Sequence, residues 1–541
     1  MFHRRKRLHP TIPPGFSQHS PPVPRHFLRS SMRTSFGVLP LLFLASLATL
    51  TGCRTSSDSP VIPANAADLV IQSPPGTPRP PFSFSREDER LLDEVQQGAF
   101  WWMYDACDPT TGLTRDRSSA TYSSIASIGF HLAALPIGVE RGWITRRQGF
   151  DRALRVLKSL EKTPRKEGLF YHFIDGTTAQ IPPGSPEDAV STIDSALLLS
   201  GMIVASSYFG GEVATLADRF VEDVNWNFFV DPQAEQPHWR GFISLAWKPE
   251  NTAEPGGRGR LSPFYWIDAG DEQRLVTFLA VAAPRRERAI DPSVYYRLRR
   301  PIGVDEAGGP FSYIPWSGAL FTHFFAHCFI NYAAIGADNP SAFGAERRAR
   351  IDWWENSRRA VLMHQRKAEL NPLGLPTLGR NAWGLTACDA ASGYIVPGLY
   401  PTAHRFADER PDWEYETSPM AAREDYGDGT IAPYGAGCAI LFTPDRAIDA
   451  LRHYRSLRAP DGSPLVWRSP RPAKFDAPGP GEGYGFQDAF NLGTGWVAKD
   501  CIGIDQGPLA LAIENARSGL IWRLFEAHPV VRNGFRRLGW R

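Results

Sequence analysis

The fold of this chain is indicated most clearly by residues 185–204, which read Ser-Pro-Glu-Asp-Ala-Val-Ser-Thr-Ile-Asp-Ser-Ala-Leu-Leu-Leu-Ser-Gly-Met-Ile-Val. The opening Ser-Pro-Glu-Asp combines an N-cap serine, a proline at the first helical position and acids in the first turn. After it, Ile193, Leu197, Gly201 and Val204 recur at helical spacing and share one face. The stretch predicts a long helix that buries this face.

Helix signals of the same kind recur along the chain. Ser85 is placed to cap a helix that has Asp88 at its third position, and Thr443-Pro444-Asp445 opens another. Further helices are predicted over Trp316–Ile335, Ile351–Arg366 and Leu509–Phe525. Strand signals are few and short, as in residues 168–173. Many helices joined by long Gly- and Pro-rich loops are typical of an all-α enzyme whose loops carry the site.

The composition favours a globular protein that does not bind nucleic acid. The 541 residues are 43% hydrophobic and 21% charged, and their number fits one large domain or two. The net charge of +2 is misleading, because residues 1–52 contain seven Lys and Arg and no acid. The remaining chain has 52 basic and 57 acidic residues, a net charge of −5. A chain of this charge offers no basic stripe for nucleic acid or anionic lipid.

The N-terminal residues are predicted to be a targeting segment. An apolar run from Phe36 to Leu50 follows Met32-Arg33, and Leu50-Thr51-Gly52-Cys53 resembles a bacterial lipobox. We expect residues 1–52 to be a signal region, with Met32 as an alternative start, and Cys53 to be lipidated. An uncleaved membrane anchor is the alternative, but the apolar run is short for a spanning helix.

The expected tether and location follow from the residues after the lipobox. Residues 53–84 are rich in Ser and Pro and are predicted to lift a catalytic domain of residues 85–541 off the membrane. Arg54 follows the cysteine where an aspartate would favour the inner membrane. We therefore expect an outer-membrane lipoprotein that faces the periplasm or the cell surface.

The sequence gives no positive sign of a metal or cofactor. The cysteines after Cys53 are far apart, without a C-x-x-C pair, and no H-E-x-x-H motif, P-loop or dinucleotide fingerprint is present. Their odd number leaves at least one thiol unpaired. They are Cys107, Cys328, Cys388, Cys438 and Cys501.

Carboxylates set among glycines and aromatic residues are the main chemical signal. They occur in the runs 383–389, 428–434, 485–491 and 503–508. Acids in such surroundings are typical of semi-buried turns, where desolvation and neighbouring charge shift a pKa. Glycoside cleavage needs aromatic platforms for the sugar rings and a pair of carboxyl groups across the glycosidic bond. This pattern favours a glycosidase.

Several motifs resemble one family of such enzymes. Ser124–Phe130, Leu135–Ile144, Ser191–Leu198, Trp247–Glu250, Asn381–Ala387 and Gly503–Pro508 are similar, in this order, to motifs of the glucoamylase-like family. That family includes the bacterial β-1,2-glucanases of glycoside hydrolase family 144, and the resemblance spans about Leu91 to Arg541. It implies an (α/α)6 toroid with long loops forming a carbohydrate cleft, and hydrolysis of β-1,2-glucan to short oligosaccharides.

The chain departs from the family pattern at two places. Gly270-Asp271-Glu272 stands where the family often has Tyr-Asn-Glu, and an insertion at Tyr400–Met420 is expected to reshape one end of the cleft. Related members act on other glucans. An exo-acting or differently linked glucosidase therefore stays an alternative, and so does a surface glycan-binding lipoprotein without catalytic activity.

Three acids are the candidate catalytic residues. Glu272 begins a predicted helix after aromatic residues and is expected to donate the proton, favoured over its neighbour Asp271 by its position in the family motif. Both are also acids that a helix N-terminus favours without catalysis. Asp194, expected two turns inside its helix, either binds sugar hydroxyls or pairs with an arginine. Asp488 is the expected base; capping of backbone amides in a turn is the alternative.

The remaining candidates are expected to bind substrate. Single acids of this kind also serve structural roles, and single aromatics more often belong to the core than to a sugar platform. Asp271 is placed in this set as a neighbour of the proton donor. The others are Asp389, Asp428, Asp505, Trp247, Tyr265, Trp266, Trp383 and Tyr434.

Overall fold

The computed structural model describes most of the chain after residue 68. The described residues are 69–182, 189–251, 256–305, 311–315, 318–400, 403–406, 424–470 and 483–540. The signal region, Cys53 and most of the Tyr400–Met420 insertion lie outside them, and so does the predicted Ser-Pro-Glu-Asp helix start at 185–188.

Helices dominate the described residues, in agreement with the predicted all-α class. In chain order they are α1 (Arg86–Asp105), α2 (Ile125–Glu140), α3 (Arg146–Leu160), α4 (Thr192–Phe209), α5 (Gly211–Asp223), α6 (Asp271–Ala282), α7 (Ser293–Arg297), α8 (Tyr332–Ile335), α9 (Trp353–Leu370), α10 (Pro433–Cys438), α11 (Pro444–Ser456), α12 (Gly503–Arg517), α13 (Leu520–Ala527) and α14 (Pro529–Arg537). Short 3-10 helices lie at Trp226–Phe229, Pro237–Trp239, Leu320–His323, Ala326–Cys328, Pro340–Phe343 and Ala439–Leu441.

The strands are two to five residues long and form small local sheets. They are β1 (Val70–Ile71), β2 (Tyr122–Ser124), β3 (Arg165–Lys166), β4 (Leu169–Phe170), β5 (Phe173–Asp175), β6 (Val190–Ser191), β7 (Ala246–Pro249), β8 (Gly259–Leu261), β9 (Pro301–Asp305), β10 (Phe311–Tyr313), β11 (Arg350–Ile351), β12 (Cys388–Ala390), β13 (Gly393–Ile395), β14 (Ala403–Phe406), β15 (Trp467–Arg468), β16 (Gly485–Phe486), β17 (Phe490–Asn491) and β18 (Trp496–Val497). Two sheets have three strands, in the orders β6-β7-β8 and β10-β9-β14. The rest are pairs, of which β1 with β11 is parallel and β2 with β5, β3 with β4, β12 with β13, β15 with β16, and β17 with β18 are antiparallel.

Buried and half-buried helices alternate along much of the chain. The helices α2, α4, α6 and α12 are buried on almost every side, as helices within a core are. The helices α3, α5 and α11 bury only one stripe. Because α2 packs on α4 and α12, and α4 packs on α6, the buried helices form a common core.

The helices α2 and α4 approach each other closely within this core. A Cβ atom on Gly201 would lie 1.9 Å from the carbonyl oxygen of Gly129, so glycine is required there for the two backbones to meet. This contact joins two of the segments whose sequences resemble the glucoamylase-like family. The helix α4 is also long and apolar enough to cross a membrane, but most of it is buried inside the protein.

Residues 69–84 differ from the expected tether, because they pack on the folded domain. The strand β1 pairs with β11, and Ile71 is fully buried. Arg79 forms an ion pair with Asp352, the N-cap residue of α9. Within this segment, apolar burial and a partly buried ion pair fix a chain that its Ser and Pro content predicts to be extended and solvated.

Three predicted helices are present with the expected starts or positions, and a fourth has different bounds. The helix α1 has the expected Ser85 cap, with the Asp88 amide donating to Ser85 Oγ at 3.2 Å. The helix predicted over Ile351–Arg366 is α9, and Thr443 precedes α11 with Pro444 in its first turn, as expected. The helix predicted over Leu509–Phe525 begins earlier and is interrupted by Gly519, which has φ +67°.

The predicted helix over Trp316–Ile335 is wrong. The described part of this segment contains two 3-10 helices and the short α8. The backbone amides of Ala326 and His327 donate to the buried Asp271 carboxylate, so they are taken out of a regular helical ladder. Tertiary contacts of this kind override the local helical pattern.

Candidate active site

The candidate site is built from residues near the N-terminal ends of the buried helices. Glu272 is the second residue of α6, while Asp194 and Asp505 are each the third residue of α4 and α12. The strand β6 runs directly into α4, so Asp194 lies in the first turn and not two turns inside, as expected from sequence. Exposed amide groups and the helix dipole favour acids at such positions.

Glu272 has the environment of a proton donor. It is partly exposed, although most of its carboxyl group is surrounded by protein. Burial, followed by the negative charges of Asp194 and Asp271, raises the pKa of Glu272 to about 8. The carboxyl group is therefore mostly protonated at neutral pH, as the acid in glycoside hydrolysis must be.

Asp194 is held in place from two sides. Ser191, the N-cap residue of α4, donates from Oγ to Asp194 Oδ2 at 2.5 Å. His172 Nε2 lies 3.5 Å from Asp194 Oδ1, so the partner is a histidine and not the arginine considered from sequence. After burial, the charge of Asp194 contributes most to the raised pKa of Glu272.

Asp271 does not have the position expected of a substrate-binding residue. Its side chain is fully buried, with no exposed surface. It forms an ion pair with Arg274, and His327 Nδ1 lies 2.9 Å from its Oδ2. These partners, His327 first and then Arg274, lower the pKa of Asp271 despite its burial. Asp271 therefore fixes the start of α6 as a buried carboxylate, and substrate cannot reach it in this structure.

Asp488 and Asp505 form a buried carboxyl pair on the other side of the site. Asp488 lies between β16 and β17, after Gly485, whose φ of +83° shows why glycine precedes it. Burial, followed by the charge of Asp488, raises the pKa of Asp505 well above its usual range. Burial also raises the pKa of Asp488, while its hydrogen bond with Asp505 opposes the rise. Because the pKa of Asp488 is raised only to about 7, Asp488 is the member of the pair that loses its proton first.

Asp389 joins this pair to an arginine from a distant part of the chain. The Asp389 amide donates to Asp488 Oδ2 at 3.4 Å. Arg117 Nη1 lies 3.0 Å from both carboxylate oxygens of Asp389, and Arg117 Nε lies 3.2 Å from Asp116 Oδ2. Asp116 is buried in turn, and the charges of Arg117 and His172 oppose the rise that burial gives its pKa.

These interactions form one chain of neighbouring ionisable groups. It runs from Asp488 through Arg117 and Asp116 to His172, and from there through Asp194 to Glu272. The two predicted catalytic carboxyl groups are thus connected through four intermediate residues, Arg117, Asp116, His172 and Asp194. The aromatic ring of Phe173 stacks on His172 at 3.9 Å between centroids and contacts Tyr122 edge-on at 5.1 Å.

Most aromatic residues predicted to bind sugar lie inside the protein. Trp247, Trp383 and Tyr434 are almost completely buried, so their rings are not open to a sugar in this structure. Trp266 is also buried, and its Nε1 donates to Thr192 Oγ1 at 2.8 Å, at the start of α4. These rings pack the core beneath the site, the ordinary role of large aromatic residues.

Tyr265 and Asp428 lie closer to solvent. The Tyr265 hydroxyl donates to Asp231 Oδ2 at 2.7 Å, and its ring stacks on Trp239. Asp428 is exposed and accepts the Thr430 amide at 2.9 Å, the hydrogen bond of a turn aspartate. The structure thus places Glu272 beside Asp194 and connects both to the Asp488 group through His172, Asp116 and Arg117, and it gives Asp428 a local turn role.

Five residues of the site were missed from the sequence. They are Asp116, Arg117, Tyr122, His172 and Tyr394, which lie among the acids although no local pattern marks them. Arg117 and Asp389 are 272 positions apart, so only the folded chain reveals their pairing. The run of carboxylates among glycines did identify Asp389, Asp488 and Asp505.

Comparison with known proteins agrees with this architecture. The family model described as "Glycoamylase: Putative glucoamylase" matches residues 264–463 and 476–529. A curated relative from Parabacteroides distasonis, the exo β-1,2-glucooligosaccharide sophorohydrolase (non-reducing end), is 27% identical over 495 residues. The match covers 84% of this chain, and this chain spans 58% of that relative's length.

Solved structures share the fold along most of the chain. A crystal structure described as a putative glucoamylase from Bacteroides uniformis has a TM-score of 0.65 at 26% identity, covering 85% of this chain and 98% of its own. The endo-β-1,2-glucanase of Chitinophaga pinensis, solved with sophorotriose and glucose, has a TM-score of 0.65 at 22% identity, covering 85% and 99%. The family match and the shared fold confirm the resemblance to the glucoamylase-like family that the motifs of this chain indicated.

Proposed function

We propose that this protein hydrolyses β-1,2-linked glucan to short oligosaccharides. The observation that carries the proposal is the buried carboxyl group of Glu272, whose pKa is raised to about 8, in the same chain of ionisable groups as Asp488, whose pKa is raised to about 7. The names of the Parabacteroides distasonis relative and the Chitinophaga pinensis enzyme support the β-1,2 linkage.

In the proposed mechanism the two carboxyl groups divide the proton transfers. Glu272 gives its proton to the glycosidic oxygen as the bond from that oxygen to the anomeric carbon breaks. Asp488 takes a proton from the water that attacks the anomeric carbon, and the product gains the hydroxyl group. Asp505 stays protonated and holds Asp488 in position, while Asp194 keeps the proton on Glu272 before the reaction.

We also propose that the buried helices close into an (α/α)6 toroid. Support comes from a ring of packed neighbours in which α12 contacts α2, α2 contacts α4, and α4 contacts α6. From α6 the contacts continue to the 3-10 helices within 320–328 and, through α10, return to α12. In such a ring the N-termini of the inner helices meet at one end, which is where the acids of the site lie.

An exo-acting enzyme is the second candidate. The specific observation in its favour is the name of the Parabacteroides distasonis relative, which releases sophorose units from non-reducing ends. Both candidates use the same carboxyl groups, and they differ in the products that accumulate. An endo enzyme produces a spread of oligosaccharides from the start, whereas an exo enzyme produces one disaccharide.

Incubation of the purified protein with linear β-1,2-glucan, linear β-1,3-glucan and starch tests the proposal. We expect new oligosaccharides from β-1,2-glucan alone, resolved by chromatography of the products over time. A Glu272→Gln protein serves as the control for a contaminating hydrolase. Products from starch alone would refute the proposed linkage, and products equal in the control would refute the proposed site.

We further propose that the protein is a lipoprotein of the outer membrane. The lipobox-like Leu50-Thr51-Gly52-Cys53 supports this location, and so does Arg54 after the cysteine. An enzyme placed there meets glucan in the periplasm or outside the cell.

A further inference from the structure

The strands β12 and β13 form a hairpin that presents a tyrosine opposite Asp389. The register pairs Asp389 with Tyr394, and directly opposed residues of an antiparallel pair project from the same face. Tyr394 is 41% exposed, whereas the aromatic residues that were predicted to bind sugar are buried or half-buried. An exposed aromatic ring therefore stands on the face of the hairpin that carries Asp389.

Asp389 belongs to a fixed polar pair on that face. Its carboxylate is held by Arg117, and both side chains keep some exposed surface, 18% for Asp389 and 25% for Arg117. An Arg–carboxylate pair offers N–H donors and acceptor oxygens in one rigid arrangement. Sugar hydroxyl groups donate and accept hydrogen bonds, so such a pair is suited to binding them.

The hairpin also lies directly beside the proposed base. The Asp389 amide donates to Asp488 Oδ2 at 3.4 Å, so the strand that carries Asp389 touches the carboxyl pair. Burial of its hydroxyl group, followed by the charges of Asp505, Cys388 and Asp488, raises the pKa of Tyr394 well above its usual range, although 41% of the residue is exposed. The tyrosine is thus close to the buried acids and at the same time open to solvent, as a residue in the wall of a cleft is.

The alternative interpretation is that Tyr394 is an ordinary surface tyrosine without function. Single exposed aromatics are common on proteins and need no explanation. This one differs because it is opposed to an ordered Arg–Asp pair and borders two buried carboxyl groups. Nonpolar C–H groups on a pyranose face pack on an aromatic ring, while its hydroxyl groups reach the polar pair beside it.

We propose that Tyr394, Arg117 and Asp389 form a glucosyl-binding subsite on the Asp488 side of the cleft. In this subsite the Tyr394 ring stacks on a sugar face, and the Arg117–Asp389 pair binds the hydroxyl groups of the same sugar. The inference rests on the proposed function for the identity of the sugar. It assigns a binding role that does not depend on the chemistry of bond cleavage.

Calorimetric titration with β-1,2-linked gluco-oligosaccharides of three to five units tests the subsite. The titrations use Glu272→Gln protein, so that the ligand is not consumed, and compare it with the same protein carrying Tyr394→Ala or Tyr394→Phe. We expect Tyr394→Ala to weaken affinity about tenfold, because loss of an aromatic contact costs on the order of 1 kcal/mol. Tyr394→Phe keeps the ring and should bind as the parent does.

A matched control and an independent measurement complete the experiment. Leu373→Ala removes another exposed apolar side chain, outside the described site, and should leave affinity unchanged. In the active enzyme, Tyr394→Ala should raise KM more than it lowers kcat, with an unchanged thermal melting curve. Equal affinity of the Tyr394→Ala and parent proteins would refute the subsite, and so would equal losses in Tyr394→Ala and Tyr394→Phe.

Failure of this inference is distinguishable from failure of the proposed function. Hydrolysis of β-1,2-glucan with unchanged binding by Tyr394→Ala refutes the subsite alone. Binding that depends on the Tyr394 ring, without hydrolysis by the parent enzyme, refutes the function alone. If β-1,2-, β-1,3- and α-1,4-linked gluco-oligosaccharides all fail to bind, both are refuted.

Discussion

Glu272 and Asp271 are neighbours in sequence, yet the structure gives their carboxyl groups opposite roles. His327 and Arg274 keep Asp271 ionised in the core. Glu272, in contrast, is buried near the negative charges of Asp194 and Asp271, which favour its protonated form. The difference arises from neighbouring side chains and not from residue type. An acid with a raised pKa at a cleft is the group that can serve as a proton donor.

Substitution of Glu272 by glutamine should remove the acid without changing its shape. We expect Glu272→Gln to lower kcat by about 10²–10⁴ while oligosaccharide binding is largely kept, since general acid catalysis contributes rates of this order. Steady-state kinetics on linear β-1,2-glucan measures the change. Glu346→Gln, at an exposed position, is the matched control and should retain parental activity. A loss below tenfold in Glu272→Gln would exclude Glu272 from the role.

The pH dependence should report the charge of Asp194. Glu272 is active when protonated, so activity should fall as pH rises through its pKa of about 8. Asp194→Asn removes a negative charge that favours the protonated form, so the pKa of Glu272 should fall. The alkaline limb of kcat/KM should therefore move to lower pH. An unchanged limb, or one moved to higher pH, would contradict the electrostatic role of Asp194.

At this scale the sequence identified the acids but not their partners. Asp488 and Asp505 stand among glycines and aromatics, and that setting predicted semi-buried carboxyl groups. Arg117, His172 and Tyr394 have no such setting, and they join the site through contacts between distant segments. The predicted platforms Trp247 and Trp383 are in the core, because large aromatics fill space wherever the fold has room for them.

The positions of the acids depend on the residues at which the strands end and the helices begin. The strand β6 ends at Ser191, which caps α4 and at the same time holds Asp194. The helix α6 has no side-chain cap, and Asp271 instead accepts amide hydrogens from the segment at 326–327. Site geometry is therefore coupled to helix starts, which explains why misplaced helix boundaries also misplaced Asp194.

Helix starts were predicted correctly where residues within the first turn determine them. Ser85 and Thr443 mark the starts of α1 and α11 as expected, because the Ser85 side chain caps α1 and Pro444 lies in the first turn of α11, both within one turn. The segment at 316–335 was predicted wrongly, since its backbone conformation is set by a carboxylate some 50 residues away. A pattern of neighbouring residues contains no information about such a contact.

The approach of α2 and α4 should be sensitive to a single methyl group. Gly201→Ala places a Cβ against the Gly129 carbonyl oxygen, so the two helices must separate. We expect the free energy of unfolding to fall by about 1–3 kcal/mol, as in other overpacked cores. Urea denaturation measures the change. Gly379→Ala, where a Cβ meets no atom within 4 Å, is the control. Equal stabilities of the two variants would contradict the packing described.

The whole molecule combines a helical core with a proposed lipid anchor. The all-α class could be predicted from helix signals and sparse strands, whereas the toroid and the linkage came from resemblance. The predicted tether was too long, because residues 69–84 pack on the folded domain. A composition rich in Ser and Pro predicts a solvated segment, but apolar side chains of these residues are buried. Residues 69–84 are therefore part of the folded domain.

The lipid anchor is tested by Cys53→Ser. Without the thiol no lipid can be attached, so the protein should move from the membrane fraction to the soluble fraction after cell breakage. Metabolic labelling with palmitate should be lost at the same time. Cys107→Ser, which alters a cysteine of the folded domain, is the control and should keep both the label and the membrane fraction. Unchanged membrane retention with the label still present would refute the anchor.

The most direct test of the account is a proton NMR time course with linear β-1,2-glucan as the substrate. Glu272 as acid and Asp488 as the base for water predict inversion, so the α-anomer of the new reducing end should appear first. The β-anomer should then accumulate through mutarotation. New reducing ends that appear first as the β-anomer would contradict the role of Asp488 as base. A spectrum that never changes would contradict the proposed activity itself.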